Sequence, residues 1–407
     1  MKQSLFTRSF ILLLLGQMFS LIGNYTLKFA LSMYVLELTG SAEIFGAVLA
    51  VAVVPTILLS PLGGILADRV NRRWLMAGLD ALSAVAVFLC ICFLQAGGGV
   101  AAIAGLQIVL GILGAFESPT VQACVPQLHH GDNLLRANAL VNQIQSVAGM
   151  ATPFAGSLAY TAWGIEAVMR AVSICFLLTA FLECWIHLPA VQQKSGQPPF
   201  QILRSDLRQS VHFLRREQPV VLQLLLLAAG INFFASGSIT VGLPYLVRTD
   251  LGLSAAWYGA AESALGLASV LGGVLVTLLA AYLPPRRMPW LLILFGGALL
   301  PSAAAFAVRG QAVVCYFVLV AGMAAASLGG SVFSVLGLCA IQQRTPSELT
   351  GKVMAFVMTI AQCTQPLGQM LYGWGWERLP AWCVLGMTGA AVLVTAFRSW
   401  KIFWNLV

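Results

Sequence analysis

The stretch Gly64-Ile65-Leu66-Ala67-Asp68-Arg69-Val70-Asn71-Arg72-Arg73 sets four charges into its last six positions, between two long apolar runs. It reads as a short cytoplasmic turn joining two transmembrane helices. Composition agrees with that reading: 59% of the 407 residues are apolar and only 9% are charged, where a soluble domain carries about 25%. Such a chain cannot cover its surface with polar groups.

A bilayer core about 30 Å thick needs roughly 20 apolar residues per crossing helix, and about twelve such runs fit. They fall near 10–37, 44–67, 74–95, 100–125, 138–162, 168–188, 220–247, 254–281, 289–308, 311–341, 353–376 and 381–397. The loops between them are short, so successive spans must be antiparallel. The first run has no small-residue cleavage site behind it and leads into further spans, so it reads as an anchor and not as a signal peptide.

The net charge of +8 raises the question of nucleic acid, and the placement of the basic residues answers it. With the amino terminus inside, the cytoplasmic loops and ends collect residues such as Arg8, Arg69, Arg72, Arg73, Arg136, Lys194, Arg215, Arg216, Arg286, Arg287 and Lys401. The outer side keeps only Arg170, Arg248, Arg309 and Arg378. This bias follows the positive-inside rule and sets both termini in the cytoplasm. Basic charge here encodes topology, and no nucleic-acid partner is expected.

The nine cysteines sit almost wholly within spans and show no C-x-x-C spacing, so they read as small apolar fillers. His129, His130 and Asp132 form a polar turn without the further ligands a structural metal site needs. No metal is expected.

The two halves of the chain echo each other. Leu62-Gly63-Gly64-Ile65-Leu66 before Arg72-Arg73 recurs as Leu271-Gly272-Gly273-Val274-Leu275 before Arg286-Arg287, and Pro153 pairs with Pro366. Many transporters are built from such repeats. The expected domains are 1–188 and 220–407, each a six-helix bundle, joined by a linker at 189–219. In that linker Phe200, Leu203, Leu207, Val211 and Leu214 recur every three or four positions among arginines, as in an amphipathic helix on an anionic leaflet.

The spacing G-x-x-x-D-R-x-x-R-R at Gly64, Asp68, Arg69, Arg72 and Arg73 resembles the signature loop of the major facilitator superfamily. The likeness extends along the chain and is nearest the macrolide-efflux-type branch of drug/proton antiporters. It is carried by Gly16-Gln17, Leu38-Thr39-Gly40-Ser41, Ala115-Phe116 with Pro119 and Val125-Pro126, and Leu134 with Ala137-Asn138-Ala139. The resemblance implies an all-α membrane protein of twelve transmembrane helices in two pseudo-symmetric six-helix bundles. It also implies alternating access, no cofactor beyond the proton gradient, and residence in a bacterial cytoplasmic (inner) membrane as a monomer.

Within that family the loop works as a conformational latch. Gly64 allows close helix approach, and Asp68 would meet the N-terminus of span 11, which carries partial positive charge. Gly149, Pro153 and Gly156 in span 5 partly match the antiporter signature and would bend the helix where it approaches its partner across the domain interface. Many drug/proton antiporters carry an arginine in span 4, where this chain has Leu110-Gly111-Ile112-Leu113.

Charges inside spans are costly unless paired or wetted, which singles out Lys28, Glu117 and Glu262. Desolvation favours the neutral form of a buried carboxylate, which lets it exchange protons near neutral pH. Glu117 is the first candidate for a proton carrier and Glu262 the second, with a Lys28–Glu262 ion pair as the static alternative. Asp80, Glu183 and His187 lie near inner helix ends, where headgroup-level solvation accounts for them.

Asn24 and Tyr25 on span 1, Gln107 on span 4, Asn232, Phe233 and Phe234 on span 7 and Phe333 on span 10 are candidates for an apolar, aromatic-lined substrate cavity. Such a cavity suits bulky amphipathic or cationic small molecules. The expected activity is their export by proton antiport, with a siderophore or a lipid as alternative cargo. No convergent nucleophile and base appear, so no enzyme is expected.

Overall fold

The computed structural model describes residues 5–67, 69–129, 132–188, 208–209, 211–279, 285–308 and 310–404. Among these the chain is helical and forms no strand. Helix α1 spans Arg8–Thr39, α2 Ala42–Ala67, α3 Arg72–Gln95 and α4 Gly99–Leu128. The next helical stretch, Asp132–Glu183, is broken at Gly164 into α5 (132–163) and α6 (165–183). In the second half α7 is Pro219–Asp250, α8 Ala255–Leu279, α9 Met288–Ala307 and α10 Ala312–Arg344. Helices α11, Ser347–Arg378, and α12, Ala381–Trp404, complete the set.

Asn71 starts α3 by accepting the Arg73 amide on its side chain at 3.1 Å, the ordinary role of a capping asparagine. Gly164 ends α5 for a steric reason. Its φ of 74° and ψ of 177° lie in a region open essentially to glycine alone. Without that break a single helix of 52 residues would run about 78 Å, far beyond a hydrocarbon core about 30 Å thick.

Ten stretches are long and apolar enough to cross a membrane. The stretch containing Gly164 supplies two crossings, and α11 is the twelfth. Gln362, Gln365 and Gln369 lower the hydropathy of α11, but its 32 residues span about 48 Å. The protein is an all-α integral membrane protein of twelve transmembrane helices in two pseudo-symmetric six-helix bundles.

The chain divides into two compact units, and the division is not a simple cut at the linker. The first unit is Met1–Leu38 with Val51–Pro199, and the second is Thr39–Ala50 with Phe200–Val407. The start of α2 therefore belongs to the second unit, held there by α11. Ser41 Oγ donates to Glu377 Oε2 at 2.6 Å, the Glu43 amide donates to the same oxygen at 3.1 Å, and Arg378 bonds Glu43 at 2.6 Å. Gly46 lies so close to the Gln369 carbonyl, and Gly373 to that of Ala42, that a Cβ at either would collide.

Small residues set the helix crossings in both units, as is usual where lipid leaves packing as the main attraction. The repeated glycine motif shows this most clearly. A Cβ on Gly63 would strike the Ala115 carbonyl on α4, and one on Gly272 would come within 2.9 Å of the Leu328 carbonyl on α10. Among the described residues, no atom of another segment lies within 4 Å of a Cβ built on the second glycine of each copy, Gly64 or Gly273. The close approach that the described residues show is that of Gly63, the neighbour of Gly64. Asp68, the expected latch carboxylate, lies outside the described residues, as does linker segment 189–207.

In the first unit, α5 leans on α1. Gly156 faces Thr26 and Phe29, and Gly149 faces the Tyr25 ring. The two glycines thus pack α5 against α1 within this unit, and Pro153 between them is buried. In the second unit the Trp376 indole donates to the Gly237 carbonyl at 3.1 Å. Side chains at Gly237 and Gly242 would enter the Tyr372 and Trp376 rings. Two wide turns, Ser236–Gly242 and Leu246–Asp250, interrupt α7 along this contact.

Candidate functional site

The most unusual chemistry in the described residues lies in the first unit, toward the helix ends that carry its arginines. Ser20 of α1 is 1% exposed, and its hydroxyl lies 3.0 Å from Glu117 Oε1 on α4 and 3.4 Å from Asp80 Oδ1 on α3. Asn24, one turn along α1, donates to the Ser20 carbonyl at 3.1 Å and to its hydroxyl at 3.4 Å. Glu183 closes α6 beside them, and its carboxyl interacts with those of Asp80 and Glu117. Helix α1 reaches Glu183 through Gly16, whose Cβ would lie 3.6 Å from Glu183 Cγ. Thr179 fixes the crossing by donating to the Gly16 carbonyl at 3.2 Å.

Four helices therefore bring three carboxyls together, two of them on one serine. Asp80 and Glu183 are both 0% exposed, whereas Glu117 is half-buried. Headgroup-level solvation, expected for Asp80 and Glu183, is thus overturned, since neither touches solvent or lipid. His187 matches that expectation: it is exposed, and its amide donates to Ser9 Oγ at 3.1 Å. Below the carboxyls lies an apolar floor of Phe10, Leu13, Met76, Cys124, Val125 and Ile186.

The sequence holds a signal for the two missed acids. Asp80 sits in Gly78-Leu79-Asp80-Ala81-Leu82 and Glu183 in Phe181-Leu182-Glu183-Cys184-Trp185. A carboxylate flanked by apolar residues on both sides has little local help in reaching water. Ser20 offered no comparable signal, because a serine in a span ordinarily bonds its own helix.

The remaining candidates fall in one unit or the other. Lys28 is exposed in the first unit, and Glu262 of the second is half-buried, with its carboxyl against the Tyr258 phenol. Tyr25 and Gln107 are half-buried in the first unit. Asn232 turns its amide back onto the Ala228 carbonyl at 3.0 Å. Phe233 and Phe234 line an apolar cavity of about 300 Å³ with Tyr372, Trp374, Met387 and Thr388. Phe333 does not line an open cavity: it is 3% exposed and packs edge-on against Phe403, with ring centres 6.2 Å apart.

At the charged loop, Arg72 is 9% exposed and works as a brace. Its Nε donates to the Ala67 carbonyl at 2.7 Å and its Nη1 to the Ala123 carbonyl at 2.8 Å, tying the end of α2 to α4. Arg69 is exposed, and Arg73 lies over the Trp74 ring at 4.8 Å. Among the described residues no group of histidine, cysteine, aspartate and glutamate has the geometry to hold a metal ion. His130 and the side chain of Asp132 lie outside them.

Macrolide efflux protein A of Streptococcus pyogenes is 22% identical over 361 residues, covering 88% of this chain and 86% of that protein. The staphyloferrin A transporter of Staphylococcus aureus (strain NCTC 8325 / PS 47) is 22% identical over 303 residues, 74% of this chain and 73% of that protein. Among solved structures, an inward-facing bacterial homologue of the iron transporter ferroportin superposes with a TM-score of 0.74 at 15% identity, covering 98% of each chain. The peptide transporter POT in complex with sulfate superposes with a TM-score of 0.74 at 14% identity, covering 98% of this chain and 95% of that one. The sequence profile of the Major Facilitator Superfamily matches residues 13–369, and with twelve spans in two glycine-matched halves the chain belongs to that superfamily as a transporter and not an enzyme.

Proposed function

We propose that this transporter exports hydrophobic or amphipathic small molecules by alternating access, driven by inward proton flow, with Glu117 as the proton carrier. In this reading it is a monomer in a bacterial cytoplasmic membrane with both termini in the cytoplasm, the orientation that the basic loops favour. One observation carries the proposal. Glu117 is the partly exposed member of a carboxyl cluster that is otherwise sealed, so it can meet a pathway on one side and buried acids on the other. The macrolide efflux proteins among the relatives support outward transport of bulky, largely apolar cargo.

The arginine that many drug/proton antiporters carry in span 4 is absent from Leu110-Gly111-Ile112-Leu113, so the relay arrangement around Glu117 departs from theirs. The test is transport in everted vesicles under an imposed pH gradient, with a screen of macrolides and other amphipathic cations. Glu117→Gln should abolish the response to the gradient while exchange of substrate across the membrane persists. An unchanged pH dependence in that variant rules out the carrier role.

A siderophore is the second reading, favoured by the staphyloferrin A transporter among the relatives. Secretion of labelled siderophore under iron limitation by cells with and without the protein separates the two cargoes.

A further inference from the structure

The buried carboxyls of the first unit lack partners in a way that identifies what is missing. Asp80 Oδ2 and both carboxyl oxygens of Glu183 are inaccessible and are offered no donor group among the described residues, each carboxyl having only the other beside these oxygens. A bare carboxylate accepts hydrogen bonds and cannot donate one, so two facing carboxylates cannot bond to each other. The same pair carrying a proton can, and a buried group left unsatisfied costs about 1–3 kcal/mol or more. The orphaned oxygens are therefore sites for a proton.

Their order along the helices gives that proton a route. Glu183 is the last residue of α6, four positions before the exposed His187. Asp80 lies eight residues into α3, roughly 12 Å along its axis, and Glu117 lies eleven residues before the end of α4, roughly 16 Å along. Ser20 stands between the deeper two, within reach of both. A serine hydroxyl accepts one hydrogen bond while donating another, which is what a proton hop requires.

Building on the antiport reading, we propose that Glu117, Ser20, Asp80 and Glu183 form a proton path inside the first unit, which carries the proton from the transport pathway to the end of the bundle that holds Arg8 and Arg72. The step balances without a co-reactant. Protonated Glu117 gives its proton to Ser20 Oγ as the Ser20 hydroxyl proton passes to ionised Asp80, so Ser20 ends unchanged. Asp80 passes its proton to ionised Glu183, which is sealed in this state, and release to water follows when the helix end beside His187 opens. The surrounding groups fit this. Asn24 orients Ser20, Cys124 of α4 interacts with Glu183, and Arg72 directs its guanidinium to the Ala67 and Ala123 carbonyls.

The experiment needs no substrate. Full-length protein in proteoliposomes is transferred from H2O to D2O, and the carbonyl stretch of protonated carboxyls is followed by infrared difference spectroscopy. Asp80→Asn and Glu183→Gln identify the bands that belong to Asp80 and Glu183, which are sealed and exchange only through their neighbours. Ser20→Ala should slow deuteration of the Asp80 band, and Asp80→Asn that of the Glu183 band, each by about 100-fold, the low end of what a positioned proton-transfer group contributes. Ser20→Thr, which keeps the hydroxyl, should restore the Asp80 rate. Gel filtration and melting of each variant confirm the fold.

If the Asp80 band exchanges at the wild-type rate in Ser20→Ala and the Glu183 band does so in Asp80→Asn, the path is overturned and the carrier role of Glu117 stands. If no pH-sensitive band disappears in Glu117→Gln, the carrier role itself falls, and the path falls with it.

Discussion

The Ser41 hydroxyl donates a 2.6 Å hydrogen bond to Glu377 Oε2, joining residues 336 positions apart in the sequence. With the Glu43 amide on the same oxygen and Arg378 on the Glu43 carboxylate, it explains why the first turns of α2 count with the second unit. Glu377 lies just beyond the apolar part of α11. The Ser41 bond first, and then the Glu43 amide, hold its carboxyl below the usual glutamate value.

A group whose folded-state value is depressed contributes its stability above the unfolded value and loses it as pH falls through the folded one. This clasp should therefore hold at neutral pH and loosen only in acid below the ordinary glutamate range. The Arg378–Glu43 pair adds little, since both side chains are about half exposed and such pairs are worth about 0–1 kcal/mol. In Glu377→Gln, hydrogen exchange at the Glu43 amide should rise several-fold. An unaltered exchange rate there would show that the clasp does not form in the membrane.

The two adjacent glycines of the repeated motif should respond in opposite ways. Gly63→Ala forces a methyl against the Ala115 carbonyl, and overpacking of this kind costs about 1–3 kcal/mol. Gly64→Ala meets nothing within 4 Å and removes a helix penalty of about 0.5–1 kcal/mol. Melting curves in detergent should move down for the first and hold or rise for the second. Gly272→Ala and Gly273→Ala should repeat the pattern, since Gly272 alone faces a carbonyl, that of Leu328.

Arg72→Lys should fail to substitute. The guanidinium reaches two carbonyls in different directions from one buried position, a geometry that a single ammonium cannot reproduce. Losing one charged hydrogen bond costs about 1.5–3 kcal/mol. The expected result is a lower melting temperature with correct membrane insertion, because the positive charge that guides topology is kept. Equal stability of Arg72→Lys and the parent would refute the brace.

Gly164→Ala should destabilise without touching any neighbour. No heavy atom lies within 4 Å of the added carbon, so the whole effect is backbone strain, about 1–3 kcal/mol for a residue held in that region. Gly230→Ala is the control. It too has open space around it, but it sits mid-helix at ordinary angles and should stabilise slightly. Thermal unfolding of the pair distinguishes strain from crowding.

The sequence and the structure divide the site between them in a regular way. Glu117 could be found by reading along the chain, because a lone acid inside an apolar run is conspicuous at once. Asp80 and Glu183 are equally acidic, but they lie near helix ends, and position along one helix cannot say whether an end faces headgroups or a neighbouring helix. Gly63 and Gly64 make the same point. The motif flags two glycines, and only the rotation of α2 against α4 decides which one faces the Ala115 carbonyl. Phe333 likewise looks like any cavity aromatic until Phe403 covers it.

Hydropathy, loop charge and the repeat gave the class, the number of crossings and the expectation of two bundles, because each membrane helix satisfies its own backbone and announces itself locally, and the Gly64–Arg73 motif carried the resemblance to the family. The gathering of Ser20, Asp80, Glu117 and Glu183 came only from the tertiary structure, as did the assignment of Thr39–Ala50 to the second unit. Those depend on how each helix is turned about its axis and on which partner it packs against, and such rotations are fixed by contacts between segments that lie far apart in the chain.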